Sequence, residues 1–181
     1  MWQVLLTNVS YFRKWIIKMK KIWVIGDSHF NHPDIISKFE FRPKDYARQI
    51  CRKVKNNVWP NDLLIHLWDV IFYNCWELEE YLNRMWDCTK ILVKWNHDKK
   101  SNSFYYSKGF DFVCNEFKID NVVFTHIPKG TLLKNEINCH GHLHTNSHHI
   151  NEYTKTPERY RLYSPENENY MPVLLTTLIN K

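Results

Sequence analysis

Apolar, β-branched runs alternate with amphipathic segments through the first half of the chain, and this alternation restricts the fold more than any other feature. The run IWVIG at 22–26 has the character of a buried strand, and residues 44–58 follow as a helix with apolar side chains at four-residue spacing. A second strand at 62–67, a second helix at 76–86 and a third strand at 91–93 repeat the pattern. Strands separated by helices predict a largely parallel α/β sheet.

From residue 110 onward the chain consists of shorter apolar runs with short connections. These runs predict further strands at 112–118, 121–125, 137–140, 159–163 and 172–178. We therefore expect a layered α/β protein in which a second, more antiparallel sheet accompanies the first. Ligands of such proteins gather at the carboxyl ends of strands, so the residues that follow each strand are candidates for a functional site.

Bulk properties limit the class of protein. A chain of 181 residues suffices for one domain with a substantial core. Five cysteines without a CxxC pair, and no secretory signal, predict reduced thiols and a cytoplasmic protein. No apolar run approaches the roughly 20 residues that span a bilayer. The net charge of +6 falls to +3 when residues 1–18 are left out, so charge alone does not indicate a nucleic-acid partner.

Five successive strand ends carry Asp, Asn or His side chains. In chain order they are Asp27-Ser28-His29, Asp69, Asn96-His97-Asp98, His126 and Gly141-His142-Leu143-His144. A single His at a strand end is more often a structural hydrogen bonder, but five such ends in order are hard to explain by packing. Imidazole, carboxylate and amide ligands suit Mn, Fe, Zn or Ni better than Ca or Mg. The pattern indicates two divalent metal ions with one shared carboxylate, which suits in-line phosphoryl displacement.

These blocks resemble the motif string of the calcineurin-like metallophosphoesterases: D-x-H, G-D, G-N-H-D/E, a lone H after a strand, and G-H-x-H. The resemblance runs from about residue 21 to the C-terminus, and the opening GDSHFNHPDII is similar to a small, capless branch from bacteria and phages. It implies an α/β/β/α sandwich with mixed sheets, formed by a single domain over residues 19–181. Residues 1–18 would be a non-native or loosely attached extension.

The resemblance also implies the role of each site residue. Seven side chains would hold the two ions: Asp27, His29 and His144 one ion, Asn96, His126 and His142 the other, and Asp69 both. His97 would be the general acid, oriented by Asp98, while a hydroxide that bridges the ions attacks a phosphomono- or diester. His32 and Arg42 would either contact the substrate phosphate or close the loop over the site.

Two other functions stay open on the sequence alone. A metal-dependent nuclease would need a basic groove leading to the metals, and the motif loops contain no concentrated stripe of Lys and Arg. A non-catalytic metal- or protein-binding relative is the other alternative, because Trp68 and Trp95 stand where the family has Gly and would deform the site.

The two tryptophans occupy sharp turns close to the expected metals, where a residue without Cβ and often with positive φ is needed. Asn31 replaces Gly in the same class of loop, and Asn is the next best tolerated residue there. Trp68 and Trp95 have three explanations. The indoles are tolerated at negative φ and point away from the site, or the protein is a degenerate relative, or UGA codons that the source reads as Gly have been translated as Trp.

The composition favours the third explanation. The chain has 4 Gly and 8 Trp, whereas average usage predicts about 13 Gly in a chain of this length. On this hypothesis, Gly at both positions raises metal affinity and melting temperature.

Overall fold

The computed structural model describes residues 21–38, 42–72, 77–84, 88–95 and 98–181. The strands are β1 (Ile22–Gly26), β2 (Leu63–Leu67), β3 (Thr89–Val93), β4 (Phe112–Cys114), β5 (Phe117–Ile119), β6 (Val122–Phe124), β7 (Ile137–His140), β8 (Tyr160–Leu162) and β9 (Val173–Leu174). The α-helices are α1 (Ile35–Lys38), α2 (Tyr46–Asn57), α3 (Glu77–Arg84), α4 (Asn102–Ser107) and α5 (Leu175–Ile179). Two 3₁₀ helices span Ser147–Glu152 and Pro157–Arg159.

The first sheet has the strand order β4-β3-β2-β1-β9. Strands β1 to β4 are parallel to their neighbours, and β9 pairs with β1 in the antiparallel sense. All five residues of β2 are buried, as expected for a central strand that is covered on both faces. Strands β1, β2 and β3 therefore end at one common edge of the sheet.

The second sheet has the order β5-β6-β7-β8. Strands β5 and β6 are antiparallel, whereas the β6–β7 and β7–β8 pairs are parallel. Residues of both sheets, such as Ile65 and Phe124, belong to one hydrophobic core. The mixed α/β architecture with two mixed sheets is thus confirmed, but parallel pairing prevails in the second sheet as well.

The predicted elements differ from the structure mainly in the C-terminal half. The run at 112–118 is divided between β4 and β5, and the strand predicted at 172–178 is confirmed only at its start. Only Val173 and Leu174 pair with β1, and the chain then enters α5, which buries Leu175 and Leu178 at helical spacing. In so short an apolar run, the alternating burial of a strand cannot be distinguished from the burial pattern of a helix face.

The short helix α4 was not predicted. Its cap explains why it forms, because the hydroxyl of Ser101 accepts the backbone N–H of Phe104 at 3.2 Å. None of the described helices is long and apolar enough to cross a bilayer. Residues 1–18, predicted to be an extension, lie outside the described part of the chain.

Candidate metal centre

The candidate ligands lie where strands of both sheets end. Asp27 directly follows β1 and Asp69 lies two residues beyond β2, so the two carboxylates leave the parallel strands at the same edge. His126 follows β6 and His142 follows β7 in the second sheet. The backbone N–H of His142 donates to Oδ2 of Asp27 at 3.3 Å, which joins the two sheets at this edge.

A first group of possible ligands contains Asp27, His29 and His144. One ligand atom from each lies within 4.8 Å of the others, and all three residues are buried. Nε2 of His29 and Nε2 of His144 are each 4.0 Å from Oδ1 of Asp27, and the imidazole rings are stacked with centroids 5.4 Å apart. These separations are too long for hydrogen bonds. Oδ1 of Asp27 is buried and accepts no hydrogen bond from a described residue, as expected of an atom that faces a cation.

A second group contains Asp27, Asp69 and His126, again buried and with ligand atoms within 4.8 Å of one another. Oδ2 of Asp69 lies 3.6 Å from Nε2 of His29 and 3.9 Å from Nε2 of His126. Asp27 belongs to both groups, and Asp69 stands between His29 and His126, where a ligand shared by two ions would lie. Three imidazoles and two carboxylates suit divalent transition metals, so the described residues fit such ions.

The remaining predicted ligands are less completely defined. His142 has an exposed side chain, and its ring lies edge-on to His126 with centroids 4.7 Å apart. Asn96 and His97 lie outside the described residues, so the predictions of an amide ligand and of a general acid are not addressed by the structure.

Asp98, predicted to orient His97, is fully buried and accepts three backbone N–H groups. The donors are Asp69 at 3.0 Å, Val70 at 3.3 Å and Trp95 at 3.4 Å. Burial raises the pKa of Asp98 to about 7, although the three donors act in the opposite direction. The carboxyl group therefore fastens the loop after β2 to the loop after β3.

Arg42 is buried, and its guanidinium is occupied by protein groups. It donates to the carboxylate of Glu166 and, at 3.3 Å in each case, to the carbonyl oxygens of Asp27 and Ser28. It also lies over the ring of Tyr46, whose hydroxyl donates to the carbonyl of His29 at 2.6 Å. Of the two roles considered for Arg42, this arrangement favours closing the loop over the site.

His32 lies on the same loop, beside the first group of ligands. Its Nδ1 accepts the backbone N–H of Asp34 at 3.1 Å, and its ring stacks on Phe72 with centroids 4.0 Å apart. The ring also meets His29 edge-on at 5.6 Å. Contact with a substrate stays a prediction for this residue.

Glu166 is a site residue that the sequence analysis missed. Its Oε2 lies 3.3 Å from Nδ1 of His144, and Nε of Arg42 donates to its Oε1 at 2.9 Å. Burial raises the pKa of Glu166, but His144 and Arg42 outweigh it and lower the pKa to about 2. Glu166 stands in the polar stretch SPENENY, more than twenty residues beyond the last motif, so no local signal distinguishes it from a surface residue.

Positive φ is concentrated in the loops of the site. The site residues concerned are Asp27, His29, Asn31, Trp68, Asp69, His142 and His144. The positive φ predicted for Asn31 is confirmed, at 57°. Such conformations persist only where the surrounding structure enforces them, and they are typical of functional sites.

Trp68 and Trp95 differ sharply. Trp68 has φ of 42° and is fully buried, and its Nε1 finds no hydrogen-bond partner among the described residues. Its ring meets His126 edge-on with centroids 4.8 Å apart. Trp95 does not have a positive φ, and 43% of it is exposed. The need for Gly is therefore evident at 68. Trp95 is tolerated without a positive φ, but its ring stacks beside His126 with centroids 6.1 Å apart and does not point away from the site.

Comparison with known proteins identifies relatives of this chain. The chain is 30% identical over 176 residues to an uncharacterized protein of Methanocaldococcus jannaschii, a match that covers 90% of this chain and 92% of that protein. A protein of unknown function from Aquifex aeolicus has a similar structure, with a TM-score of 0.68, 22% identity, and coverage of 88% of this chain and 98% of its own.

Nuclease MPE of Pseudomonas putida shares the fold more distantly, with a TM-score of 0.50, 16% identity, and coverage of 68% of this chain and 61% of its own. The model of the calcineurin-like phosphoesterase family matches residues 20–176, the stretch that contains every strand end described above. The chain is therefore a member of the calcineurin-like phosphoesterase family.

Proposed function

We propose that this protein hydrolyses phosphate esters at a centre of two divalent metal ions. The observation that carries the proposal is the convergence of Asp27, Asp69 and three imidazoles at one buried edge. A buried carboxylate oxygen without a hydrogen bond is costly unless a cation or another partner compensates it. Family membership supports the same conclusion.

The proposed ligand sets keep the first group together and make Asp69 the shared ligand. Asp27, His29 and His144 hold one ion, and Asp69 belongs to both sets. His126 holds the second ion, together with Asn96 and His142. When bound, the ions supply charge neutralisation on the phosphate and lower the pKa of a water molecule toward neutrality.

Side chains of this chain carry the proton chemistry of the proposal. His97 donates a proton to the leaving oxygen, and Asp98 fixes the loop that carries His97 by binding the backbone of Asp69, Val70 and Trp95. His32, beside His29, is the candidate for contact with the phosphate.

Metal loading and turnover test the proposal together. The chain is freed of metal with a chelator, titrated with Mn²⁺, Ni²⁺ or Zn²⁺, and assayed on p-nitrophenyl phosphate and bis(p-nitrophenyl) phosphate. We expect two bound ions and metal-dependent hydrolysis, and we expect Asp69→Ala to lose metal. His97→Ala should keep metal but lose about 10²–10⁴-fold in turnover. Two ions bound without hydrolysis of any ester would instead identify a non-catalytic relative.

A nuclease is the second candidate. The neighbour from Pseudomonas putida is a nuclease, and Lys99 and Lys100 are exposed directly after the loop at 96–98. Lysines in this position suit a polyanionic phosphate backbone. Cleavage of single-stranded DNA or RNA that weakens steeply with salt, and weakens further in Lys99→Gln with Lys100→Gln, would favour this candidate over a small-ester phosphatase.

A further inference from the structure

Glu166 is buried against the imidazole of His144 on the side that faces away from Asp27. Nδ1 of His144 is 3.3 Å from Oε2 of Glu166, while Nε2 of the same ring is 4.0 Å from Oδ1 of Asp27. Only 2% of the Glu166 side chain is exposed. The two ring nitrogens therefore face two different carboxylates, one in the candidate metal site and one behind it.

The carboxylate of Glu166 is itself held from several directions. Arg42 donates to Oε1 through Nε at 2.9 Å and also through Nη2, and the hydroxyl of Ser164 donates to Oε2 at 2.9 Å. Arg42 in turn binds the carbonyl oxygens of Asp27 and Ser28. A continuous set of hydrogen bonds thus runs from the loop after β1, through Arg42 and Glu166, to His144.

We infer that Glu166 is a positioning residue for the metal centre, held by Arg42, which orients His144 by accepting its Nδ1–H. This inference rests on the proposed function. A carboxylate at Nδ1 fixes the tautomer with its lone pair on Nε2, turns the ring toward Asp27 and strengthens the ring as a ligand. Partners of this kind typically change metal affinity by 10–100-fold when they are removed.

Charge explains why Arg42 accompanies Glu166. A third carboxylate buried close to Asp27 and Asp69 needs a counter-charge, and the guanidinium of Arg42, which is paired with Glu166, supplies it. Arg42 also bridges to the carbonyl of Asp27, so that one cation stabilises both the loop and the carboxylate behind the ligand. The pair therefore places a carboxylate behind His144 together with its own counter-charge.

The test compares Glu166→Gln with Glu168→Gln on the full chain. Glu168 lies on the same segment, but its carboxylate pairs with Lys181. Because Glu166→Gln leaves Arg42 buried without its counter-charge, the double variant Glu166→Gln with Arg42→Gln is included to remove both charges. Mn²⁺ affinity and stoichiometry are measured by calorimetry, the ligand field by visible absorption of the Co²⁺ form, and folding by thermal melts.

We expect Glu166→Gln and the double variant to bind one of the two Mn²⁺ ions 10–100-fold more weakly, with an altered Co²⁺ spectrum. Glu168→Gln should match the parent in both. A lower melting temperature with parental affinity and spectrum would overturn the inference and leave Glu166 as a structural residue. If the parent binds no ion, the proposed function fails as well; if it binds two and Glu166→Gln is unchanged, only this inference fails.

Discussion

At the scale of single residues, Gly141, directly after β7, has a backbone that passes close to the candidate ligand Asp27. A Cβ at this position would lie 2.2 Å from Oδ2 of Asp27 and 3.0 Å from Cζ2 of Trp68. The carboxylate of Asp27 cannot move away from this Cβ without leaving the metal site. We therefore expect Gly141→Ala to reduce metal affinity by about 100-fold or more. Overpacking should also destabilise the fold by about 1–3 kcal/mol.

Gly130→Ala is the matched control for this prediction. No described atom lies within 4 Å of a Cβ placed on Gly130, so its affinity for Mn²⁺ should equal that of the parent. Calorimetric titration of both variants checks the prediction. Parental affinity in Gly141→Ala would show that Asp27 is not held where the structure has it, or is not a ligand.

Trp68 combines strain with burial, and the two have opposite effects on stability. Gly at 68 would release the positive-φ strain, about 1–3 kcal/mol, and a buried N–H without a partner, about 1–3 kcal/mol. It would also leave a cavity, and Trp→Ala in a core costs about 3–5 kcal/mol. We therefore expect Trp68→Gly to raise metal affinity, because Asp69 follows directly, but to change the melting temperature little. The sequence alone had predicted a rise in both.

Comparing Trp68→Gly with Trp68→Ala separates the effect of backbone strain from the effect of the cavity. It makes nearly the same cavity but keeps a Cβ at positive φ, so Trp68→Gly should be more stable than Trp68→Ala by about 1 kcal/mol. In ordinary helix or strand interiors Gly is the less stable of the two. Chemical denaturation of both variants measures the difference, and greater stability of the Ala form would contradict the need for Gly at 68. A UGG codon at 68 would contradict the decoding explanation separately.

At the scale of elements, the carboxyl group of Asp98 links the segments that follow β2 and β3 among the described residues. Asp98→Ala leaves the backbone N–H groups of Asp69, Val70 and Trp95 without their acceptor. The donors of Asp69 and Val70 are buried, and a buried donor without a partner costs about 1–3 kcal/mol, so we expect a loss of about 2–6 kcal/mol in the free energy of unfolding. Denaturant titration measures this loss.

Asp111→Ala provides the comparison for Asp98→Ala. Asp111 is exposed and accepts one backbone N–H, that of Lys90 at 2.7 Å, so its loss should cost about 0.5–1.5 kcal/mol. Equal destabilisation by the two variants would mean that Asp98 does not fasten the two loops.

At the scale of the whole molecule, His66 links stability to pH. Burial in the central strand lowers its pKa to about 3 from a reference value of 6.5. The unfolded chain therefore binds a proton between these values and the folded chain does not. This contribution is fully present above pH 6.5 and is lost as the pH falls toward 3. As the pH falls from 6.5 to 4.5, the free energy of unfolding should decrease by about 2–3 kcal/mol through this residue.

His66→Gln should flatten the dependence of unfolding free energy on pH in that window, even where it lowers stability overall. Gln retains a polar end for the hydroxyl of Ser28, which lies 2.9 Å from Nε2 of His66. Exposed His148→Gln is the control and should keep the parental slope. All variants are compared at one metal concentration, so that the pH dependence of metal binding is the same in each. Parallel curves of unfolding free energy against pH for the parent and His66→Gln would refute the prediction.

Much of this protein was determined by local sequence. The alternation of apolar runs with amphipathic segments predicted β1, α2, β2, α3 and β3 to within a few residues, because burial on a strand or on a helix face imposes its own period. The candidate ligands were predicted too, because they follow strands directly and parallel strands end at one edge. The recurrence of Asp, Asn and His at five successive strand ends, with the resemblance of these blocks to one family, supported that inference.

Only the tertiary structure decided the rest. Glu166 is remote in sequence from His144 and reaches it because the C-terminal segment packs beside the loop after β1, a contact that no local period encodes. The contrast between Trp68 and Trp95 is likewise tertiary. Both follow apolar strands, but Trp68 is buried at positive φ against His126 and Gly141, which follow strands of the second sheet. Trp95 is partly exposed and does not have a positive φ.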